Sequence, residues 1–315
     1  RIAIGITIKM MLDIELAVHT ESSLVVAESQ PVKTSVIIPS LNSPLIDRVV
    51  DEILGQDGFS AEAELIVVGR DDSGLVKNRA DVQFVDTGQP VTAPVARNLG
   101  IDAARGTLLI FIDSDCIPQP GWLREHRQAH AAGHKVVGGG VLPTGDSYWH
   151  LVYNLTMFHE IFSSAPAGER PFLPTLNLSV ERSVIEKVGK LDPTLRKSQD
   201  LDWTTRMNEA GFKPYFWPEA AIRHDHNRRT GEQVWRDAAT IGQYARQVRL
   251  RHQESLDTPR ILSNRHLTLL LSPFIALYVT GGIIGRRSKT MLRHPETWPG
   301  IYLSKIAWCW GASRK

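Results

Sequence analysis

Asp113 and Asp115 flank Ser114 directly after the apolar run TLLIFI at 107–112. Two carboxylates one residue apart in an extended chain face opposite ways. A turn after Ile112 swings both towards one point. An Asp-Ser-Asp there suits a hard divalent cation, which takes oxygen ligands and often holds a phosphate as another. The competing reading is a solvated turn, because Asp and Ser favour turns through local hydrogen bonds. The motif alone leaves both open, so the elements that carry it must decide.

Thr92 at an N-cap with Pro94 in the first turn predicts a helix, with Leu99, Ala103 and Ala104 on its apolar side. The run 107–112 then reads as a strand covered on both faces. Ligands of open α/β sheets bind beyond the carboxyl ends of the strands, where the two aspartates fall. Upstream, 34–39 reads as a first buried strand, 45–55 as a helix entered through Ser43-Pro44, 64–68 as a second strand and 82–85 as a third. Downstream, a helix at 122–132, a strand at 135–141, an aromatic stretch at 143–173 assigned to an acceptor side, a strand at 175–180 and a helix from Gln199 to Ala210 continue the alternation. The order implies an α/β fold with a mostly parallel sheet flanked by helices.

The composition is that of an ordinary globular protein, with 42% hydrophobic and 22% charged residues in 315. Its net charge of +2 hides an asymmetry: residues 228–315 carry 15 Lys or Arg against 5 Asp or Glu, a balance of +10, leaving −8 for 1–227. A basic tail points at an anionic surface. Without an aromatic–basic recognition motif or zinc spacing, nucleic acid is not expected as a partner. Two cysteines, Cys116 and Cys309, make no disulfide framework and fit a reducing compartment. Residues 1–33 lack a clean signal-peptide pattern and are set aside as an N-terminal extension.

The tail holds a nineteen-residue uncharged run, 267–285, near bilayer length. Pro273 and three glycines interrupt it, and basic residues on both sides oppose a single crossing. A second stretch, 298–312, carries Trp298, Tyr302, Trp308 and Trp310. An in-plane or re-entrant membrane hairpin is expected, with a helical subdomain packed on the core as the alternative.

Five pieces in order resemble a family-2 glycosyltransferase with the GT-A fold: VIIPSLN at 36–42, ELIVVGRDDSG at 64–74, APVARNLGIDAARG at 93–106, FIDSDC at 111–116, and SQDLDWTTRMNEAGFKPYFWPEAAIRHDH at 198–226. The resemblance covers 34–227, which it makes a GT-A Rossmann-like catalytic domain. It implies an inverting transfer of a sugar from a UDP- or GDP-sugar to a hydroxyl of a lipid-linked or polysaccharide acceptor. Pro39, Leu41 and Asn42 then hold the nucleoside, Asp71 or Asp72 the base or ribose, and Arg97 the phosphates. Asp113, Ser114 and Asp115 line the donor, with Asp113, Asp115 and His224 as ligands of Mn²⁺ or Mg²⁺ and His226 as the fallback. Asp200 is the expected base, kept ionised because Gln199 replaces an acidic neighbour. Asp202, Trp203 and Arg206 are supporting candidates and Asn177 an acceptor contact.

The sequence departs from the family at Gly69-Arg70, where an Asp usually follows the second strand, and at Gln199. Gln243 and Arg246 lack the tryptophan of a processive QxxRW motif, so one sugar per encounter is expected. The resemblance and the basic tail together place the chain in the cytoplasm, on the cytoplasmic face of a membrane held through 260–315. Two rivals are a catalytically silent scaffold of the same fold and a phosphohydrolase of the haloacid dehalogenase type, whose pattern is broken by Ile117-Pro118.

Overall fold

The structure, a computed structural model, describes residues 33–59 and 62–314. The extension 1–33 lies outside the described residues except for Lys33. The chain opens with β1 (Thr34–Leu41), α1 (Ile46–Leu54), β2 (Ala63–Arg70), β3 (Gln83–Asp86), α2 (Ala93–Ala103), β4 (Leu108–Ile112) and β5 (Cys116–Pro118). There follow α3 (Trp122–Ala131), β6 (Val136–Val141), α4 (Tyr148–Phe158), a 3₁₀ turn (His159–Ile161), β7 (Gly168–Glu169), β8 (Asn177–Glu181), α5 (Arg182–Val188), α6 (Gln199–Glu209) and β9 (Pro214–His224). The C-terminal part comprises α7 (Gly231–Arg251), a 3₁₀ turn (Arg260–Ser263), α8 (Arg265–Leu270), α9 (Ser272–Arg286), α10 (Ser288–Met291) and α11 (Trp298–Ser313).

The strands form one sheet in the order β3-β2-β1-β4-β8-β6-β9-β5, with β7 paired to β9. Val36 of β1 lies between Leu65 of β2 and Ile110 of β4, all buried, which is why these strands read as unbroken apolar runs. The sheet is parallel through β3-β2-β1-β4 and again where β6 pairs β9, with antiparallel pairs between and around them. β8 runs antiparallel to both β4 and β6, and β5 runs antiparallel to β9. β8 enters beside the end of β4, where Asp113 N–H reaches the Leu176 carbonyl, instead of crossing back over the sheet. That approach fixes its direction.

Of the apolar side expected for helix α2, Ala103 and Ala104 pack on the core and Leu99 does not. Leu99 is exposed, and the inward face is Ala96, Arg97, Gly100 and Ile101. Arg97 turns inward because it pairs with Asp113. The C-terminal helices share one buried cluster with the sheet through Val234, Ile283, Met291 and Ile301. The tryptophan-rich stretch expected at a membrane interface is α11, which buries Ile301, Ala307, Cys309 and Ala312. Those residues pack inside the protein, while Leu303 and Trp310 of the same helix are exposed. Among the described residues no helix is long and apolar enough to cross a membrane.

Candidate active site

The loops at the carboxyl ends of β1, β2 and β4 are tied together. Asn42, at φ 52° in the left-handed region that Asn tolerates, donates through Nδ2 to Asp72 Oδ2 (2.8 Å). Its Oδ1 accepts the Asp72 N–H (2.8 Å). Ser43 Oγ donates to the Ser114 carbonyl (2.9 Å), clasping the first loop to the Asp-Ser-Asp turn. Gly69 explains the departure after β2. At φ 142° its backbone runs so close to β1 that a Cβ would meet the Ser40 carbonyl oxygen at 1.8 Å, so no Asp fits there.

The pair after Gly69-Arg70 divides its work. Asp71 is buried and accepts three backbone N–H bonds, from Leu75, Val76 and Lys77. Burial pushes its carboxyl up, but those three donors outweigh burial and hold it below the usual range. Asp71 builds its loop, whereas Asp72 is the exposed carboxylate. Leu41 is exposed and Pro39 half-buried on the same rim.

Antiparallel pairing of β5 with β9 sets Cys116 opposite His224, which brings the imidazole to the Asp-Ser-Asp turn. His224 Nε2 lies 3.4 Å from Asp115 Oδ1. Asn154 of α4 fixes the ring: its Nδ2 donates to the Thr144 carbonyl (2.7 Å) and the His224 carbonyl (3.3 Å), so its Oδ1 faces His224 Nδ1 (3.2 Å). Nε2 is thus the nitrogen left for Asp115, as in metal sites whose histidines are oriented by an outer partner. Burial pushes the Asp115 carboxyl up, but His224 and Arg228 outweigh it and hold the group well below the usual carboxylate range. Cys116 lies in the same cluster, where burial and the two aspartates push its thiol far up. His226 is buried against Tyr153 and His150, with Nδ1 accepting the Arg228 N–H (3.0 Å).

Asp113 stands apart from the Asp115–His224 cluster and pairs with Arg97. Arg97 is fully buried, and its Nε and Nη1 have no protein partner. Those two unpaired donors beside the aspartates form a cradle for an anion. Arg228 adds a second cation. It lies 4.5 Å over the Tyr153 ring and 3.2 Å from Asp237, and Asp115 and Asp113 help keep it charged.

Asp200 opens α6. Burial pushes its carboxyl up and Asp113 adds to this, while the Leu201 N–H (2.9 Å) and Arg97 oppose it. The expectation of a carboxylate free of like-charged neighbours is therefore corrected, because Asp113 supplies the second negative charge. Gln199 Oε1 is buried without a protein partner.

The remaining candidates face away from this cleft. Asp202 is buried and pairs with Arg206 (2.9 Å), Arg251 (2.8 Å) and His252 (3.1 Å). Arg206 also donates to the Val188 and Lys190 carbonyls. Trp203 is fully buried, donates to the Gly189 carbonyl (2.9 Å) and sets its ring edge-on to Phe111 of β4. Asn177 is a core hub that accepts from Trp122 Nε1 (2.8 Å) and donates to the Ala220 carbonyl (2.8 Å), so its expected acceptor contact is corrected. Arg246 donates to the Leu262 and Ser263 carbonyls, a packing role.

Sequence reasoning missed Asn154 and Arg228. Asn154 is a lone carboxamide on the buried side of an apolar helix, which is a signal in itself. Arg228 stands two residues past His226, just beyond the last motif.

The sequence model described as Glycosyl transferase family 2 matches residues 35–189. Among curated proteins, the chain is 27% identical over 192 residues to glycosyltransferase AglE of Haloferax volcanii, covering 58% of this chain and 63% of that protein. It is 26% identical over 287 residues to the pre-mycofactocin glycosyltransferase of Mycobacterium tuberculosis, covering 84% of this chain and 58% of that protein. The chain thus spans about three-fifths of the length of these relatives. Its fold is similar to that of mannosyltransferase PcManGT from Pyrobaculum calidifontis in complex with GDP-Man and Mn²⁺, at TM-score 0.57 and 17% identity, covering 88% of this chain and 85% of that one. GalNAc-T7 with UDP, GalNAc and Mn²⁺ follows at TM-score 0.52 and 14% identity, covering 74% and 52%. These likenesses identify a GT-A glycosyltransferase fold.

Proposed function

On the premise that the chain belongs to glycosyl transferase family 2 and is a glycosyltransferase, we propose that it is an inverting, metal-dependent enzyme. It moves a sugar from a UDP- or GDP-sugar to a hydroxyl of a lipid-linked or polysaccharide acceptor. The observation that carries this reading is the Asp115–His224 pair, held 3.4 Å apart with Asn154 fixing the ring. That donor set, one carboxylate oxygen and one imidazole nitrogen, fits Mn²⁺ or Mg²⁺ with a diphosphate as a further ligand, and the imidazole favours Mn²⁺. The structures of PcManGT and GalNAc-T7, both with Mn²⁺, support the same choice.

When bound, the cation supplies positive charge to the departing diphosphate. The chain's own residues do the rest. Arg97 offers two unpaired N–H groups and Arg228 a second guanidinium for phosphate oxygens. Asp72 and Asn42 stand on the rim where base or ribose enters. Asp200 takes the proton of the acceptor hydroxyl as its oxygen attacks the anomeric carbon and the bond to the diphosphate oxygen breaks. One displacement inverts the configuration. Basic residues in 228–315 and the apolar helices α8 and α9 support a peripheral station on the cytoplasmic face of a membrane, and two buried free cysteines fit that compartment.

A panel of UDP- and GDP-sugars, with Mn²⁺ or with chelator, tests the donor. One sugar nucleotide should raise the melting temperature only with metal and yield a product of inverted anomeric configuration by NMR. Stabilisation by none of them, or equal transfer in chelator, contradicts the reading.

A further inference from the structure

Helix α9 buries Ala276 and Ile283 in the core and leaves a second apolar face in the open. Its inward face includes Ser272 and Thr280, and Thr280 Oγ1 is buried without a protein partner. Its outward face is apolar: Phe274 is 70% exposed, Leu277 64% and Tyr278 84%. The spacing 274, 277, 278 keeps these three on one side of α9, and Leu270 at the end of α8 is 73% exposed beside them in sequence. A contiguous patch of this kind marks a surface made to be covered.

Charge identifies the cover. Residues 258–295 hold six Lys or Arg and no Asp or Glu. Arg265 precedes the apolar stripe, and exposed Lys289 and Arg293 follow it. An apolar stripe framed by cations, on helices too short to span, fits a helix lying in the interface of an anionic bilayer. The other end of α9 is fastened to the 3₁₀ turn after α4. Arg287 Nε donates to the His159 carbonyl (2.6 Å), and Arg286 pairs with Glu160 (3.3 Å). Glu160 follows directly from α4, six residues after Asn154, the residue that orients His224. At about 1.5 Å per helical residue the anchor lies about 9 Å along the chain from that partner.

We propose that the face of α8 and α9 formed by Leu270, Phe274, Leu277 and Tyr278 inserts into an anionic lipid surface. The basic residues at its two ends hold the headgroups. The inference rests on the membrane station proposed above and assigns it a surface. It also moves that surface from α11, which buries Ile301, Ala307 and Ala312 inside the protein, to α9.

Flotation of the full chain tests it, with vesicles of phosphatidylcholine alone and of phosphatidylcholine mixed with phosphatidylglycerol. The wild type should float with the anionic vesicles about tenfold better than with neutral ones. The double variant Phe274→Glu/Leu277→Glu should lose roughly tenfold or more of that binding with its melting temperature kept, since both side chains already face outward. Lys289→Glu/Arg293→Glu should lose the preference for anionic lipid. Wild type that floats with neither vesicle overturns the membrane station, while donor-induced stabilisation would still stand on its own. Wild-type binding that the double variant retains overturns the assigned face. A dimer in light scattering that the double variant dissolves makes the face a contact between copies and overturns the lipid proposal.

Discussion

Asp200 sits where burial and Asp113 both disfavour its charge, and backbone amides and Arg97 oppose this without outweighing it. A base raised in this way accepts a proton more readily than an ordinary aspartate. Its ionised form is the active one, so the rate should climb as pH rises through a value above the usual Asp range of about 4. Asp200→Asn should lower transfer by about 10²–10⁴-fold and leave donor-induced thermal stabilisation unchanged. Normal transfer by that variant would assign the proton to another residue. Asn154 touches no substrate in this account, yet it fixes which nitrogen His224 turns to Asp115. Asn154→Ala should therefore weaken Mn²⁺ binding by about 10–100-fold in a metal titration while the fold persists.

At the scale of elements, α7 and α11 meet closely enough to exclude a side chain. A Cβ on Gly311 would lie 1.8 Å from the Ala239 carbonyl oxygen. Gly311→Ala should cost about 1–3 kcal/mol in denaturant unfolding through overpacking. The junction of α6 with α7 rests on Asp202. Burial pushes its carboxyl up, but His252, Arg206 and Arg251 outweigh this and hold it below the usual range. A depressed carboxyl contributes stability above the unfolded value of about 3.9 and loses it as pH falls through the lower folded value. Asp202→Asn should thus cost about 3 kcal/mol at neutral pH, and the difference should close in acid. The elements were largely legible from period and caps: β1, β2 and β4 are apolar runs because both faces are covered. The reversal at β8 was not, because strand direction depends on how the chain returns. Of the site, Asp113, Asp115, Asp200 and His224 could be read from motifs at strand and helix ends. Asp202, two residues on in the same motif, is turned by the helical period away from Asp200, where Arg251 and His252 hold it, while Trp203 packs edge-on to Phe111.

For the whole molecule, the described residues cluster as one compact unit, and the C-terminal helices share the core of the sheet. Tyr153 of α4 donates to Asp237 of α7 (2.7 Å), which also pairs with Lys197 (2.9 Å) and Arg228 (3.2 Å). Helices knitted into the catalytic core in this way should melt with it, giving one calorimetric transition. Two separated transitions would show that the helices after β9 fold independently. The charge divides as −8 for 1–227 against +10 for 228–315, and the proposed lipid contact draws on the basic part. The central claim is that Asp115 and His224 grip a divalent cation that carries the donor's diphosphate. Electron paramagnetic resonance of Mn²⁺, titrated into the protein with a nucleoside diphosphate, measures this grip directly. Asp115→Ala and His224→Ala should each weaken the bound-Mn²⁺ signal by about tenfold or more. Equal Mn²⁺ affinity in the wild type and both variants would contradict the account.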